Sequence, residues 1–365
     1  MVQLVHAQFS DSSDGLSHEL DLARFGAAEY REHCLKILIY SRVFWPSVGG
    51  TETMMEILAE EFTAAGHHVK VVTQVTVEKE RENQAYEVVR LPSLKSYVQL
   101  LRWSDVCLCA GVSLRGLVPI MVAGTPLVIS HQATYNSYGR FNIVPELKKT
   151  VTRFSNNICC SKGVQSDIPG RSIVIPNTYR AEVFKEYSDV IRDLDIVFVG
   201  RLVSDKGVSD LIEALGQLGQ TGFRPRLSIV GDGPERPAIL TRVGELDLVQ
   251  QVIFTGIKRG SDLASFIARH KVMAVPSRWA EPFGIVALEG IACGCVVVGT
   301  NLGGLPEAIG PCGVTVPNAD TSAMARALRS LLEDDSLRAD YPSSASVHLI
   351  RHSRSEVARL AGIAS

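Results

Sequence analysis

Two basic residues in the second half of the chain lie where an apolar run gives way to a helical pattern. Arg201 follows the run DIVFVG, and Lys206 comes just before the helical pattern VSDLIEAL. Two cations at the carboxyl end of a strand, beside the free N–H groups of a helix N-terminus, suit an anion such as a diphosphate. Arginine offers a planar fork for phosphate oxygens, and lysine offers a mobile point charge. The alternative is that both are solvated surface residues.

Two acidic residues lie in the segment PSRWAEPFGIVALEGIACG. Glu281 falls in a proline-containing turn after a strand, and Glu289 lies on the helix that follows. Between them, Gly284 has no Cβ and lets a ligand approach the backbone closely. Glu289 could accept hydrogen bonds from a vicinal diol such as a ribose. The alternative for Glu289 is a structural ion pair, which its apolar neighbours disfavour.

The first half of the chain contains two weaker candidates. Gly49 and Gly50 precede a helical pattern, where backbone amides can reach a pyrophosphate, although a glycine pair is also typical of a plain turn. His131 follows the strand-like run PLVIS, where a lone histidine is often a satisfied structural residue. The GDG motif at 231–233 suggests a dinucleotide site, but Arg236 stands in place of the third glycine, which disfavours a nicotinamide fingerprint.

The strands and helices predicted around these residues alternate regularly along the chain. Short β-branched runs alternate with helical patterns through most of the chain, which predicts parallel sheets covered by helices. We predict an N-terminal extension at 1–34, two doubly wound Rossmann-like domains at 35–178 and 179–345, and a tail at 346–365. Ligands of such sheets bind beyond the carboxyl ends of the strands, so a cleft between the domains is the expected site.

Composition excludes several classes of protein. The 365 residues are 46% hydrophobic, which is enough for two α/β cores, and the formal net charge of −2 gives no reason to expect a nucleic-acid partner. No apolar run approaches the roughly 18 residues of a membrane span, and the N-terminus lacks the pattern of a secretory signal. The eight cysteines lie mostly in apolar runs without zinc-ligand spacing, which predicts reduced thiols and a cytoplasmic location.

Four motifs stand in the order found in one enzyme family: GRLVSDKG at 200–207, GDGPER at 231–236, EPFGIVALE at 281–289 and NLGGLPEAIG at 301–310. With them the sequence resembles the family-4 group of retaining glycosyltransferases. The resemblance covers nearly all of residues 35–340 and is most specific in the C-terminal half. It implies an α/β GT-B fold, in which two doubly wound Rossmann-like domains face a central cleft.

The resemblance also implies a role for each candidate residue. The donor diphosphate would be held by Arg201, Lys206, Gly49, Gly50 and the backbone of Ile285. Glu281, Phe283 and Gly284 would contact the transferred sugar. Glu289 would bind the ribose, and the backbone at Ile257 would bind the base. His131 would lie at the reacting centre and would be catalytic together with Glu281. Gly303 and Gly304 would shape a loop near the site.

The implied reaction is transfer of a hexose-type sugar from a nucleotide diphosphate, a UDP-sugar in preference to a GDP-sugar. The acceptor would be a glycan, a lipid-linked glycan or a small molecule. No Asp-x-Asp motif follows a strand, so we expect no metal cofactor, and cationic side chains would stabilise the leaving diphosphate instead. The alternatives are a sugar-nucleotide epimerase or a phosphorylase on the same fold, or a non-catalytic partner that binds nucleotide sugars.

A basic amphipathic stretch, RLPSLKSYVQLLRW at 90–103, suggests a further contact. Such a helix could lie on an anionic membrane surface, which would place the protein at the cytoplasmic face of a membrane. The alternative is an ordinary half-buried helix with solvated Lys95 and Arg102.

Overall fold

The computed structural model describes residues 34–47, 49–78, 81, 84–135, 143–187 and 189–360. These residues form two compact units: unit 1 holds those up to Pro176 and from Arg354 onward, and unit 2 runs from Asn177 to Ser353. The boundary falls two residues before the predicted one, and the predicted tail at 346–365 is divided between the units. The predicted extension at 1–34 lies outside the described residues except for Cys34.

The sheet of unit 1 has seven parallel strands in the order β3-β2-β1-β4-β5-β6-β7. Its strands are β1 Lys36–Ser41, β2 His68–Thr73, β3 Glu87–Arg90, β4 Val106–Ala110, β5 Leu127–His131, β6 Asn156–Cys159 and β7 Ser172–Val174. β1 pairs directly with β4, so the strand order reverses between them. The carboxyl ends of the strands at such a reversal are the usual ligand-binding position of an open α/β sheet.

Helices cover both faces of this sheet. They are α1 Gly50–Ala64, α2 Leu94–Trp103, α3 Leu114–Ala123, α4 Ile143–Thr152 and α5 Lys162–Gln165. Successive side chains of a strand point to opposite faces, so Ile37 and Ile39 pack in one core cluster with α1, whereas Leu38 and Tyr40 pack in another with α2 and α3. The near-continuous apolar runs of the sequence are therefore strands buried on both sides.

The sheet of unit 2 has six parallel strands in the order β10-β9-β8-β11-β12-β13. Its strands are β8 Leu194–Val199, β9 Leu227–Val230, β10 Val252–Gly256, β11 His270–Val275, β12 Val296–Thr300 and β13 Gly313–Val316. The strand order reverses between β8 and β11, which pair directly. The residues that follow these two strands are therefore the ones that a ligand of this unit would meet first.

The helices of unit 2 are α6 Val208–Gln220, α7 Arg236–Glu245, α8 Gly260–Ala268, α9 Ile285–Ala292, α10 Leu305–Ile309, α11 Thr321–Glu333, α12 Asp335–Asp340 and α13 Ala345–Arg351. Leu211 and Leu215 of α6 and Leu328 of α11 lie in the same buried cluster. Asp320 caps α11, because its side chain accepts a hydrogen bond from the amide of Ala323 at 2.8 Å.

The last described helix, α14 Arg354–Leu360, belongs to unit 1. It buries Val357 and Ala358, and its Arg354 forms ion pairs with Glu60 and with Glu61 of α1, the latter at 2.8 Å. The sequence showed little hydrophobic periodicity here because α13 and α14 have only seven residues each and pack in different units.

Seven of the eight cysteines are buried free thiols, as predicted, and Cys34 is exposed. Cys107 and Cys109 share one face of β4, with their sulfur atoms 3.9 Å apart, and behave as small buried hydrophobes. Within the described chain, no helix is both long enough and apolar enough to cross a membrane.

Candidate functional site

The two predicted diphosphate-binding cations of unit 2 follow β8. Arg201 lies two residues beyond the end of β8 with an exposed side chain. Its guanidinium group makes no hydrogen bond or ion pair with another described residue. Lys206 ends the short 3-10 turn Ser204–Lys206, just before α6. Both cations therefore lie at the carboxyl edge of the sheet, beside the strand-order reversal.

The turn that carries Lys206 packs directly against the loop after β11. Gly207 has a φ of +68°, in the left-handed region that favours glycine. A Cβ at Gly207 would lie 1.9 Å from the carbonyl oxygen of Pro276. The amide of Arg278 donates to the carbonyl oxygen of Asp205 at 2.8 Å. These backbone contacts leave little freedom between the two loops.

Glu281 lies in the loop after β11 and is only 7% exposed. Its Oε1 atom accepts two hydrogen bonds, from Ser277 Oγ at 2.7 Å and from Lys206 Nζ at 2.5 Å. Its Oε2 atom has no hydrogen-bond partner within the part of the chain that the structure describes. Since charge-assisted hydrogen bonds fix the carboxylate, the loop presents one oriented and unused oxygen. The sequence predicted Lys206 and Glu281 separately but not their pairing, and it missed Ser277.

The backbone of Glu281 is held by the NLGG segment. Glu281 forms a parallel bridge with Gly303, and its carbonyl oxygen accepts from the amide of Gly304 at 2.7 Å. Gly303 has a φ of +67°, and a Cβ there would lie 2.3 Å from the Glu281 carbonyl oxygen. These glycines shape the loop, which is the structural role predicted for them.

Helix α9 begins beside this loop without a side-chain cap. Its N-cap residue, Gly284, has a φ of +101°, which favours glycine. The first N–H groups of a helix have no partner within the helix and are available to an anion. The side chains of Phe283 and Ile285 are buried, so a ligand could meet only their backbone, as their predicted roles require.

Glu289 lies on α9 and is half-buried. Its carboxyl group forms no ion pair or hydrogen bond with another described residue. Burial raises the pKa of its carboxyl group to about 8. The alternative of a structural ion pair therefore finds no partner among the described residues, and the carboxyl group is left for a ligand that can donate hydrogen bonds.

The remaining candidate of unit 2, Ile257, directly follows β10. The preceding Gly256 has a φ of +73°, and the Ile257 side chain is 64% exposed. The predicted contact to a base would use the backbone at this turn. It stays a prediction.

In unit 1, Gly49 is the N-cap residue of α1, and no side chain caps this helix. The first-turn amides are thus uncapped, which suits an anion. Gly49 itself has extended backbone, with a φ of −178°. A Cβ there would meet only the flexible end of Glu52, at 2.6 Å, so the backbone does not require glycine at this position. The predicted diphosphate contact of Gly49 and Gly50 stays a prediction.

His131 ends β5, is fully buried and uses both ring nitrogens. Its Nε2 atom lies 2.8 Å from Asn157 Oδ1, and its Nδ1 atom lies 2.9 Å from Tyr135 Oη. Burial lowers the pKa of His131 to about 4, so the ring is neutral at neutral pH. A direct catalytic role would need a free ring nitrogen, and this arrangement offers none. In the structure as it stands the ring is hydrogen-bonded on both sides, and the predicted catalytic role of His131 stays a prediction.

The partners of His131 also define its tautomer. Asn157 donates from Nδ2 to three backbone carbonyl oxygens at 2.8 to 2.9 Å, which leaves Oδ1 as the acceptor facing His131. Nε2 therefore carries the ring proton, and Nδ1 accepts a hydrogen bond from Tyr135 Oη. That hydroxyl oxygen accepts in turn from the amide of Val112 at 2.9 Å. No sequence pattern around Asn157 or Tyr135 indicates these contacts.

The described residues include no group of three or more His, Cys, Asp or Glu side chains that could hold a metal ion. The adjacent acidic pair at Asp334 and Asp335 serves a helix end, because Asp334 Oδ1 accepts from the amides of Ser336 at 2.9 Å and Leu337 at 3.0 Å. Metal independence stays a prediction.

Comparison with known proteins gives a family match for part of the chain and a fold for most of it. Residues 181–346 match the family described as Glycosyl transferases group 1. The chain is similar to glycogen synthase of Mycobacterium tuberculosis, 35% identical over 142 residues, which are 38% of this chain and 34% of the relative. It is also similar to N-acetyl-alpha-D-glucosaminyl L-malate synthase of Bacillus anthracis, 32% identical over 174 residues, or 47% of this chain and 45% of the relative. The aligned parts thus span about a third to a half of these relatives.

Solved structures match over most of the chain. HepE of Anabaena, in complex with UDP and glucose, has a TM-score of 0.75 at 21% identity, over 90% of this chain and 98% of that one. WaaG, described as a glycosyltransferase involved in lipopolysaccharide biosynthesis, has a TM-score of 0.68 at 17% identity, over 90% and 99%. The likeness confirms the predicted fold class, two Rossmann-like α/β units of the GT-B type.

Proposed function

We propose, on the premise that residues 181–346 form a domain of the group 1 glycosyl transferase family, that this chain is a retaining, metal-independent glycosyltransferase. It takes a hexose-type sugar from a nucleotide diphosphate. The observation that carries the proposal is the Lys206–Glu281 pair at the carboxyl edge of the unit 2 sheet, with Glu289 unpartnered on the adjoining helix α9.

The diphosphate is held by positive charge of three kinds. Arg201 supplies a guanidinium with no other partner among the described residues, Lys206 an ammonium, and the uncapped start of α9 supplies backbone amides. Glu289 accepts hydrogen bonds from the two ribose hydroxyls. Because these bonds favour the charged carboxylate, they offset the cost of its burial.

Transfer needs stabilisation of the leaving diphosphate as its charge develops. Lys206 can turn its ammonium from Glu281 toward the phosphates, while Ser277 continues to hold Glu281 Oε1. The free Oε2 atom then accepts a hydrogen bond from the transferred sugar. As in the family that the motifs resemble, the bond between the anomeric carbon and the diphosphate breaks, and the acceptor oxygen bonds to that carbon on the same face. The departing diphosphate takes the proton of the acceptor. His131 has no direct part in this scheme.

A UDP-sugar is the preferred donor, with a GDP-sugar as the alternative. UDP and glucose are bound in the HepE structure, which supports the preference. The acceptor is a glycan, a lipid-linked glycan or a small molecule; the relatives named above suggest glycogen and L-malate as first trials.

Transfer should proceed in excess EDTA, because no step requires a metal. The assay offers UDP-glucose or GDP-mannose with glycogen, L-malate or water as acceptor, and proton NMR reads the anomeric configuration of the product. We expect retention of configuration. Strict dependence on magnesium or inversion would contradict the proposal. Conversion of the donor without transfer to an acceptor or to water would indicate an epimerase. A requirement for inorganic phosphate would indicate a phosphorylase, and donor binding without turnover would indicate a non-catalytic partner.

We also propose that unit 1 contacts the cytoplasmic face of an anionic membrane. Helix α2 exposes Lys95 and Arg102. The same core cluster joins α2 to α3, and α3 exposes three apolar side chains, Val118 at 64%, Met121 at 77% and Val122 at 70%. Exposed apolar side chains next to basic ones are typical of a membrane-facing surface.

A double variant with Lys95→Gln and Arg102→Gln should show reduced flotation with vesicles that contain phosphatidylglycerol, because it loses the attraction to anionic headgroups. The matched control replaces two exposed basic residues of unit 2, Lys185 and Arg326, and should float like the wild type. Equal flotation of the two double variants, or none by the wild type, would end the membrane proposal and leave α2 as an ordinary half-buried helix.

A further inference from the structure

A second ion pair lies beside Lys206 and Glu281 and joins the loop after β11 to α6, the helix that follows Lys206. Arg278, in the loop after β11, donates from Nε to Asp210 Oδ2 at 2.7 Å and from Nη2 to Asp210 Oδ1. Asp210 lies in the first turn of α6 and is only 7% exposed. A two-bond arginine–carboxylate pair fixes orientation as well as distance. It therefore holds the loop after β11 against the start of α6 more firmly than a single contact would.

The position of this pair relates it to the candidate site. Asp210 comes four residues after Lys206, and Arg278 comes three residues before Glu281. The backbone of Arg278 is anchored on both sides, since its amide donates to Asp205 at 2.8 Å and its carbonyl oxygen accepts from Asn318 Nδ2 at 3.0 Å. The Arg278 side chain therefore links an anchored point of the loop after β11 to the start of α6, the helix that follows the turn carrying Lys206.

We propose that the Arg278–Asp210 pair is a positioning clamp that sets the separation of Lys206 Nζ and the Glu281 carboxylate. This inference rests on the proposed function for its consequence in catalysis, because the two charges must meet a diphosphate and its sugar at the same time. Neither Arg278 nor Asp210 touches the substrate in this scheme. They act through Lys206 and Glu281.

The chain contains a matched control for the clamp. Glu213 lies on the same helix, α6, and forms a two-bond pair with Arg242 of α7, at 2.5 Å and 2.9 Å. This pair has the same chemistry and a similar sequence neighbourhood, but it connects α6 to α7 and involves neither loop of the site. Glu213→Gln should therefore remove a two-bond ion pair from α6 without altering the site.

The first measurement is the rate at which acetic anhydride modifies Lys206, read by mass spectrometry against the exposed Lys95 and Lys185 in the same molecule. Wild-type Lys206 is held by Glu281 and should react slowly. Asp210→Asn and Arg278→Gln should raise its rate severalfold, and Arg278→Lys, which keeps the charge but not the fork, should give an intermediate rate. Glu213→Gln should leave the rate unchanged. Equal Lys206 rates in wild type and in folded clamp variants would overturn the proposal.

The second measurement is a double-mutant cycle with Lys206→Ala in the UDP-glucose transfer assay. Removing the clamp should lower kcat by about tenfold, as expected for misplaced catalytic groups. In the Asp210→Asn background Lys206→Ala should then cost less than in the wild type, whereas in the Glu213→Gln background its cost should be the same. Additive effects in both backgrounds would contradict the clamp. If the wild type shows no turnover, the proposed function is contradicted but the clamp is not, because the acetylation rates of Lys206 test the clamp independently.

Discussion

At the scale of single residues, the two glutamates of unit 2 are in opposite electrostatic situations. Glu281 shares Oε1 with an ammonium and a hydroxyl, so its negative charge is already compensated. Glu289 has no cation beside it among the described residues, and burial raises its pKa to about 8. A diol that donates hydrogen bonds to Glu289 would favour the charged form, so we expect donor binding near neutral pH to release a proton.

The raised pKa of Glu289 predicts a pH dependence of stability. Below its ordinary pKa of 4.5 the group is protonated in the folded and unfolded chains alike. As the pH rises toward about 8, only the unfolded chain releases the proton, so the folded state loses up to about 1.4 kcal/mol for each pH unit.

Glu289→Gln removes this loss. Urea unfolding at pH 5.5 and pH 8.5 should show that the variant gains stability relative to the wild type as the pH rises. The matched control, Glu213→Gln, should show no such gain, because Arg242 lowers the pKa of Glu213. A constant difference between wild type and Glu289→Gln across this range would contradict the assignment.

His131 shows what residue type alone cannot predict. A histidine at a strand end is compatible with catalysis and with structure, and its residue type does not reveal which side chains it contacts. Here Asn157 and Tyr135 occupy both ring nitrogens. Asn157 lies 26 positions away in sequence, and nothing in its local pattern indicates that contact.

At the scale of elements, alternating runs predicted most strands because each is a short apolar segment followed by a helical period. This signal is weak in β7 and β13, because these strands have three and four residues and only Val316 among them is buried. Lys206 and Glu281 could be found from residue type and position after a strand. Their pairing could not, since it joins residues 75 positions apart.

The turn between β8 and α6 gives a prediction about glycine. Gly207→Ala should destabilise the protein by about 1–3 kcal/mol and weaken UDP binding, because the position has a positive φ and a Cβ would lie 1.9 Å from Pro276 O. Gly219→Ala, within helix α6 and with nothing within 4 Å of the added Cβ, should be neutral or stabilising by up to about 1 kcal/mol. Thermal unfolding and UDP titration check both. Equal effects of the two substitutions would refute the close contact.

At the scale of the whole molecule, each unit has its own parallel sheet, its own core and its own strand-order reversal. Unit 1 is completed by α14 from the end of the chain, which buries Val357 and pairs Arg354 with Glu61. The family match covers 181–346, and its residues lie in unit 2. The proposed contacts of Arg201, Lys206, Glu281 and Glu289 with the donor therefore all lie in unit 2, whereas those of Gly49 and Gly50 lie in unit 1.

Isothermal titration with UDP and with UDP-glucose, in excess EDTA, tests the central claim most directly. We predict that the wild type binds both, that Glu289→Ala weakens both by about 10- to 100-fold through loss of the ribose hydrogen bonds, and that Glu281→Ala weakens only UDP-glucose. Binding that requires magnesium, or wild-type affinity for both ligands in both variants, would contradict the account.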